Sequence, residues 1–222
     1  MELTRQSCRL WHLRAGEYST RTLNAGATKV NDVANIRTPS VVEFIEADLK
    51  NTGFAMSSDR LTGSLLRTLA SSKPGRSFLE LGTGAGMSTA WLLDGMDAHS
   101  TLVTVENDLT VHEIAKRHLG TDGRVEFLLV DGEEFIRSNP NRRFDFIFAD
   151  TWPGKFYCLD EVLGMLNPGG IYVIDDLSPV DTWPTEHLNK VTRLVRYLET
   201  QDDLCVTKLS WSTGLIIATK IK

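Results

Sequence analysis

The sequence predicts an α/β fold built on a mostly parallel sheet. Short apolar runs alternate with amphipathic segments of helical length between Phe78 and Ile174. Strands that alternate with helices in this way form parallel sheets through right-handed crossovers. The first apolar run ends in the glycine-rich turn Gly82–Gly86, directly before a helical pattern. This order of strand, turn and helix is typical of the first unit of a nucleotide-binding sheet.

The elements are expected in the following order. One helix begins near residues 38–40 and ends near 51–53, and a second covers about 61–69. Strands are expected at 78–81, 101–106, 125–130, 144–149 and 171–174, with a helix after each of the first four. The helix after the fourth strand is predicted at 156–166, and Asn-Pro-Gly-Gly at 167–170 is expected to end it.

The last part of the chain has a different pattern. A long helix precedes two apolar runs, 204–210 and 215–219, which are joined by only a few residues around Ser212–Gly214. Two strands connected so tightly must be antiparallel. A parallel sheet that ends in an antiparallel hairpin is unlike the usual dinucleotide-binding fold.

Composition excludes several classes of protein. The 222 residues are 41% hydrophobic and 24% charged, as in an ordinary globular domain. The net charge of −5 argues against a nucleic-acid partner, which requires a basic surface. The three cysteines are widely spaced, the N-terminus is polar, and no apolar run reaches membrane-spanning length. We therefore expect a cytoplasmic protein without a membrane partner.

The glycine turn favours S-adenosylmethionine (SAM) over NAD as ligand. A dinucleotide fingerprint would place glycine at position 87, where this chain has Met87, and Glu80 lies inside the preceding strand. The residues expected to bind the cofactor here are Glu80, Gly82, Thr83, Gly84, Gly86 and Ser88. A glycine turn without a ligand is the alternative.

Glu106 is the candidate ribose ligand. It ends the second strand, about 20 residues after the glycine turn, where a carboxylate can accept hydrogen bonds from both ribose hydroxyls. A dehydrogenase would have the same spacing, so Glu106 indicates a nucleoside without selecting one. The alternative is a glutamate that faces solvent at a strand end.

Several motifs together suggest a family. They are Leu79–Gly84 with Ser88, Thr104–Glu106, Phe144–Asp150, Leu166–Gly170 and the pair Asp175-Asp176. With these motifs, residues 55–220 resemble class I SAM-dependent O-methyltransferases, and among them the catechol and caffeoyl-CoA O-methyltransferase group and its bacterial relatives.

The resemblance implies a Rossmann-like, seven-stranded, mostly parallel sheet with an antiparallel last strand and helices on both faces. It also implies that Asp131, Gly132 and Glu133 frame the adenine, although Asp131 can equally cap a helix. Many members of the group use a metal ion.

The candidate metal ligands are Asp150, Asp175 and Asp176. Asp150 follows the fourth strand and the pair follows the fifth, so the carboxylates should meet at the ligand-binding edge of the sheet. Carboxylates that converge repel one another unless a cation or a proton intervenes. Their oxygens suit Mg²⁺, Mn²⁺ or Ca²⁺ better than zinc. In the related enzymes the pair is usually Asp-Asn.

Two readings of this acidic set stay open. Adjacent strand residues point to opposite faces, so Asp175 and Asp176 can both ligate only if the chain bends after Ile174. Alternatively, the aspartates cap helices or contact the sulfonium indirectly.

Asp150, Lys155 and His187 are the catalytic candidates, and Asp150 is also expected to contact the cofactor. The related enzymes carry a lysine in the loop after the fourth strand as the proposed base, and Lys155 lies later in this loop, after Pro153-Gly154. His187 is the second candidate base. A solvated lysine and a structural histidine are the alternatives. Trp152 is expected beside the adenine or in the wall of the acceptor pocket, or only in packing.

The domain prediction divides the chain at residue 55. Residues 1–55 form an N-terminal extension with helices that supply acceptor-pocket and dimer contacts, and 56–222 form the SAM-dependent methyltransferase domain. Trp11, Leu13 and Tyr18 have no place in the sheet core, which predicts a homodimer.

The function expected is methyl transfer to a hydroxyl of a small, aromatic acceptor, assisted by a divalent cation. Two alternatives remain, a SAM-binding protein without catalysis and a methyltransferase that acts on a macromolecule.

Overall fold

The computed structural model describes residues 30–50, 52–179 and 185–222. The described residues from 32 onward form one compact unit. The helices are α1 (Val41–Leu49), α2 (Arg60–Ser71), α3 (Met87–Gly95), α4 (Leu109–Leu119), α5 (Gly132–Ser138), α6 (Leu159–Met165) and α7 (Thr185–Glu199). The strands are β1 (Ser77–Leu81), β2 (Thr101–Glu106), β3 (Val125–Leu129), β4 (Phe144–Ala149), β5 (Leu166–Ile174), β6 (Leu204–Leu209) and β7 (Leu215–Lys220). Trp11, Leu13 and Tyr18 lie outside the described residues, and the boundary at residue 55 stays a prediction.

All seven strands form one sheet in the order β3-β2-β1-β4-β5-β7-β6. The pairs among β1 to β5 are parallel. β7 runs antiparallel to both of its neighbours, β5 and β6. The predicted fold class is therefore confirmed, including the antiparallel last strand.

The sheet has an apolar core on each face. Successive residues of the central strands alternate between the two cores, so that Phe78 joins the first and Leu79 joins the second. Helices α1 to α4 supply buried residues to the first core, and α5 to α7 supply them to the second. The central strands are covered on both sides, which explains their nearly continuous apolar sequences.

Two predicted boundaries are wrong around α6. The helix begins at Leu159 instead of 156, because residues 152–157 form tight turns in which Gly154 N donates to Tyr157 O and Phe156 N donates to Trp152 O. β5 begins at Leu166, which pairs with Phe144; residues 167–170 then bulge out of the ladder before pairing resumes at Ile171. Asn-Pro-Gly-Gly thus interrupts a strand and does not separate two elements.

No helix among the described ranges has both the length and the apolar character required to cross a bilayer.

The contact between α2 and α3 leaves no room for an additional methyl group. A Cβ on Gly63 would overlap the ring of Trp91, which is fully buried. We expect Gly63→Ala to lower the free energy of unfolding by about 1–3 kcal/mol, because the core is overpacked. Urea denaturation measures this change.

The control for this prediction is Gly164→Ala in α6, where an added Cβ has no atom within 4 Å. Alanine is favoured over glycine in a helix, so this variant should gain about 0.5–1 kcal/mol. A Gly63→Ala protein as stable as the wild type would contradict the close contact between α2 and α3.

Candidate functional site

The glycine turn lies where β1, β2 and β4 end. The amides of Gly82 and Thr83 both donate to Val105 O, at 3.0 and 3.1 Å, and Asp150 N donates to Leu81 O at 2.9 Å. Gly82 has a φ of +97°, and a Cβ there would lie 2.8 Å from Asp150 O. Only glycine satisfies both the backbone angle and this close approach.

Glu80 lies beneath the turn and is not itself among the described residues that line the cavity described below. Its side chain is fully buried, and Oε2 accepts hydrogen bonds from the hydroxyls of Thr89 at 2.5 Å and Thr104 at 2.6 Å. The Thr104 hydroxyl is also 2.5 Å from that of Thr83, inside the turn. This network connects Glu80 to the turn, so Glu80 stabilises the conformation of the turn.

Burial raises the pKa of Glu80 to about 7, because a desolvated carboxylate is costly. The hydroxyls of Ser88, Thr104 and Thr89 act in the opposite direction, since they stabilise the charged form.

Gly86 lies against α4, whereas Ser88 belongs to the lining of the cavity. Gly86 precedes α3 with a φ of +91°, and a Cβ there would lie 2.9 Å from Leu119 Cδ1 of α4, so this glycine permits helix packing. Ser88 is buried and contributes to the lining of the cavity.

Glu106 is held rigidly at the end of β2. Its Oε2 accepts from Gly84 N at 2.7 Å, and Oε1 accepts from Asn107 N and Asp108 N at 2.9 and 3.0 Å. These bonds orient the carboxylate, which contributes to the lining of the cavity.

A smaller pocket of 230 Å³ shares Gly82, Glu106 and Trp152 with the main cavity. Asp131 and Gly132 line it. Asp131 also caps α5, because its Oδ1 accepts from Glu133 N at 2.8 Å. The Glu133 carboxylate accepts from Arg137 Nε at 2.8 Å and is absent from the lining of either pocket.

Asp150, Asp175 and Asp176 converge as predicted. Each offers an oxygen that lies within 4.8 Å of the other two, and we call these three residues the acid cluster. The required bend is present, since Asp176 adopts a left-handed φ of +62° directly after Asp175. This conformation allows two adjacent carboxylates to face the same side.

The electrostatics of the acid cluster follow from burial and from like charges. Burial raises the pKa of Asp150 to about 8, and the charges of Asp175 and Asp176 add to the shift. The Ser58 hydroxyl, which donates to Asp150 Oδ2 at 2.8 Å, opposes it. Burial also raises the pKa of Asp175, against the effect of a hydrogen bond from Thr213. These carboxylates are unfavourable as bare charges.

Lys155 and His187 both line the same cavity. Lys155 is 3% exposed, and its Nζ donates to Asp175 O at 2.8 Å. The His187 ring packs edge-on against Phe156, with centroids 5.2 Å apart. Burial and the charge of Lys155 lower the pKa of His187.

Trp152 lies at the rim. It is 49% exposed, its ring contacts Phe156 edge-on, and Lys190 Nζ lies 3.8 Å from its ring centroid. Glu186 pairs with that lysine at 2.8 Å. The exposed aromatic surface is therefore partly covered by an ammonium group.

These parts open into one cavity of 710 Å³. It brings together residues from the glycine turn, Glu106, the acid cluster, both candidate bases and residues 54–59. Seven aspartates and glutamates and one lysine are among the described residues that line it: Asp59, Glu106, Asp108, Asp150, Asp175, Asp176 and Glu186, with Lys155. The lining favours positively charged ligands.

Sequence reasoning missed Ser58 and Thr213. Ser58 precedes α2, and Thr213 lies in the turn between β6 and β7, yet each donates a hydroxyl to the acid cluster. No local sequence pattern identifies them, because only the tertiary fold brings these segments to the cavity.

Comparison with known proteins agrees with this geometry. Residues 79–177 match a family model described as a methyltransferase domain. This segment is similar to methyltransferase domains. It contains the glycine turn, Glu106 and the acid cluster, so the family resemblance stated from the sequence is confirmed.

A relative is a provisionally assigned O-methyltransferase of Mycolicibacterium vanbaalenii, 31% identical over 117 residues, which are 50% of this chain and 52% of the relative. The chain thus spans about half the length of the curated relatives it matches.

Two solved structures have the same fold. The O-methyltransferase from Bacillus cereus in complex with S-adenosylhomocysteine (SAH) is 22% identical, with a TM-score of 0.73 over 84% of this chain and 93% of that one. TomG from Streptomyces achromogenes, an O-methyltransferase in complex with SAM, is 20% identical, with a TM-score of 0.74 over 85% and 93%.

The buried Glu80 should make stability depend on pH. The folded state keeps this proton up to about pH 7, whereas the unfolded carboxyl, with its ordinary pKa of 4.5, loses it earlier. Stability is therefore lost as the pH rises between these values. Glu80→Gln removes the titration, so its stability relative to the wild type should rise over this window by about 2–3 kcal/mol and then level off.

Urea denaturation of both proteins at pH 5, 6, 7 and 8 measures this difference. Glu113→Gln, at an exposed position of α4, is the matched control and should follow the wild type. Parallel curves for Glu80→Gln and wild type would show that Glu80 does not titrate in this range.

Proposed function

We propose that this protein transfers a methyl group from SAM to a hydroxyl of a small, aromatic acceptor. The observation that carries the proposal is the single cavity of 710 Å³ that joins the glycine turn, Glu106 and the acid cluster. Methyl transfer requires the two reactants to be held within about 3–3.5 Å of each other, which one shared cavity can achieve. A protein that only binds SAM would have no use for the acid cluster.

The residues present fit SAM. Gly82 has no Cβ to obstruct the turn, Glu106 is oriented by three backbone amides, and the adjoining 230 Å³ pocket can take the adenine beside Asp131 and Gly132. SAM carries a net positive charge, which suits the acidic lining. When bound, it supplies the methyl group on its sulfonium.

The acid cluster fits a hard divalent cation. Its donors are all oxygens and lie within 4.8 Å of one another, as Mg²⁺ or Mn²⁺ prefers. A cation would also offset the burial and the repulsion that together raise the pKa of Asp150. When bound, the ion supplies a Lewis acid that lowers the pKa of the acceptor hydroxyl and fixes its oxygen.

His187 is the candidate that we favour as the proton acceptor. The lowered pKa keeps its ring neutral near pH 7, which is the form a base requires. In the transfer, the carbon–sulfur bond breaks, the carbon–oxygen bond forms, and the hydroxyl proton goes to the histidine ring. Lys155, which donates to Asp175 O, serves to balance the charge of the acid cluster and to position it.

The proposal also includes three expectations from the sequence. They are a homodimer, a cytoplasmic location, and an acceptor that is a small molecule and not a macromolecule. The acidic charge that argues against a nucleic-acid substrate is a property of the whole chain.

Cofactor binding is tested first at Glu106. We expect Glu106→Ala to weaken SAM binding by about 1.5–3 kcal/mol, as for hydrogen bonds to a charged group, which is roughly a 10- to 150-fold loss. Isothermal titration calorimetry measures the affinity, and Glu113→Ala on the exposed side of α4 is the control. An unchanged affinity, or NAD bound more tightly than SAM, would contradict the proposal.

The requirement for a metal ion is tested by measuring methyl transfer to a panel of catechols in the presence of a chelator, and again after Mg²⁺ is added. We expect the chelator to abolish activity and Mg²⁺ to restore it. Asp150→Asn or Asp175→Asn should also abolish activity, because the acceptor hydroxyl then keeps its high pKa. SAM affinity should change little in these variants. Asp176→Asn should be milder, since asparagine is usual there in the enzymes that the chain resembles. Full activity in excess chelator would remove the cation from the mechanism and leave His187 or Lys155 as an unaided base.

A further inference from the structure

The turn between β6 and β7 reaches the acid cluster. Thr213 Oγ1 donates to Asp175 Oδ1 at 2.5 Å, and Asp176 N donates to the same oxygen at 2.7 Å. Asp175 is 2% exposed, so water competes little for these bonds. Among the described residues, both donors found for this carboxylate end on Oδ1.

Backbone contacts fix the turn against the segment that carries the acid pair. Ser178 N donates to Thr213 O at 2.7 Å, and Leu177 N donates to the same oxygen at 3.1 Å. A Cβ on Gly214 would overlap Ser178, so the two segments touch closely. The position of the Thr213 hydroxyl is therefore set by the sheet and not by a free loop.

The same turn also contacts a second segment that lines the cavity. The Ser212 hydroxyl donates to Asp59, which caps α2 through hydrogen bonds from the amides of Leu61 and Thr62. The neighbouring Ser58 donates to Asp150. Hydroxyl donors thus reach two members of the acid cluster from two separate segments.

We propose that Thr213 is a positioning residue that orients Asp175 for a divalent cation, a role that rests on the proposed function. A carboxylate with one oxygen engaged by two donors cannot rotate freely, and its other oxygen is then presented to the cation. Partners that orient a metal ligand in this way commonly affect metal affinity by about 10- to 100-fold. Without the hydroxyl, the Asp176 amide is the one donor to the Asp175 carboxylate that remains among the described residues.

The test compares Thr213→Val, which has nearly the same shape without the hydroxyl, with Thr213→Ser, which keeps it. Mn²⁺ binding is measured by calorimetry and electron paramagnetic resonance on the whole chain with SAH present, so that no turnover is needed. We expect Thr213→Val to bind Mn²⁺ about 10- to 100-fold more weakly and Thr213→Ser to bind it nearly as the wild type does. Thr207→Val, at an exposed position of β6, is the matched control and should have no effect.

Measuring SAH affinity separates the role proposed for Thr213 from the proposed methyltransferase function. This affinity should be the same in all four proteins, which also shows that the variants fold. Wild-type Mn²⁺ affinity in Thr213→Val, or an equal loss in Thr213→Ser, would overturn the role of the hydroxyl while SAH binding stays intact. A wild type that binds SAH but no Mn²⁺ overturns it as well, whereas a wild type that binds neither SAM nor SAH overturns the proposed function itself.

Discussion

The close approach of the ends of β1 and β4 is the constraint on which the whole candidate site depends. Asp150 N donates to Leu81 O, and the Asp150 carbonyl lies so near Gly82 that a Cβ would stand 2.8 Å from it. The first residue of the glycine turn and the first residue of the acid cluster are therefore neighbours. Any side chain at position 82 would push the two apart, and the cavity would lose the adjacency on which the proposed methyl transfer depends.

The features that could be predicted are those recorded in local patterns. Strand periodicity, the glycine spacing and acids at strand ends all depend on residues near one another in sequence, and they located the sheet, the turn and the acid cluster. Thr213 and Ser58 could not be found in this way, because they lie 38 and 92 residues from the aspartates they contact. The bulge after Leu166 was missed because a glycine pair usually ends an element and here is accommodated within β5.

The acid cluster also shows how folding and ligand binding are opposed. Burial and mutual repulsion raise the pKa of Asp150 to about 8, so at neutral pH the folded chain must hold a proton there or tolerate a poorly solvated charge. Lys155 and the hydroxyl donors reduce this cost without removing it. A cation would remove it, and the instability that remains in the free protein would then contribute to the affinity for the ion.

The place of β7 in the sheet has a consequence for biosynthesis. β7 is the last of the described strands to leave the ribosome, yet it lies between β5 and β6 and forms both of their ladders. Until residue 220 has emerged, the edge of β5 at Ile171–Ile174 has no partner, and β6 has nothing to join. An unpaired apolar edge is where chains associate wrongly, so the nascent protein exposes an aggregation-prone strand edge until β7 has been synthesised.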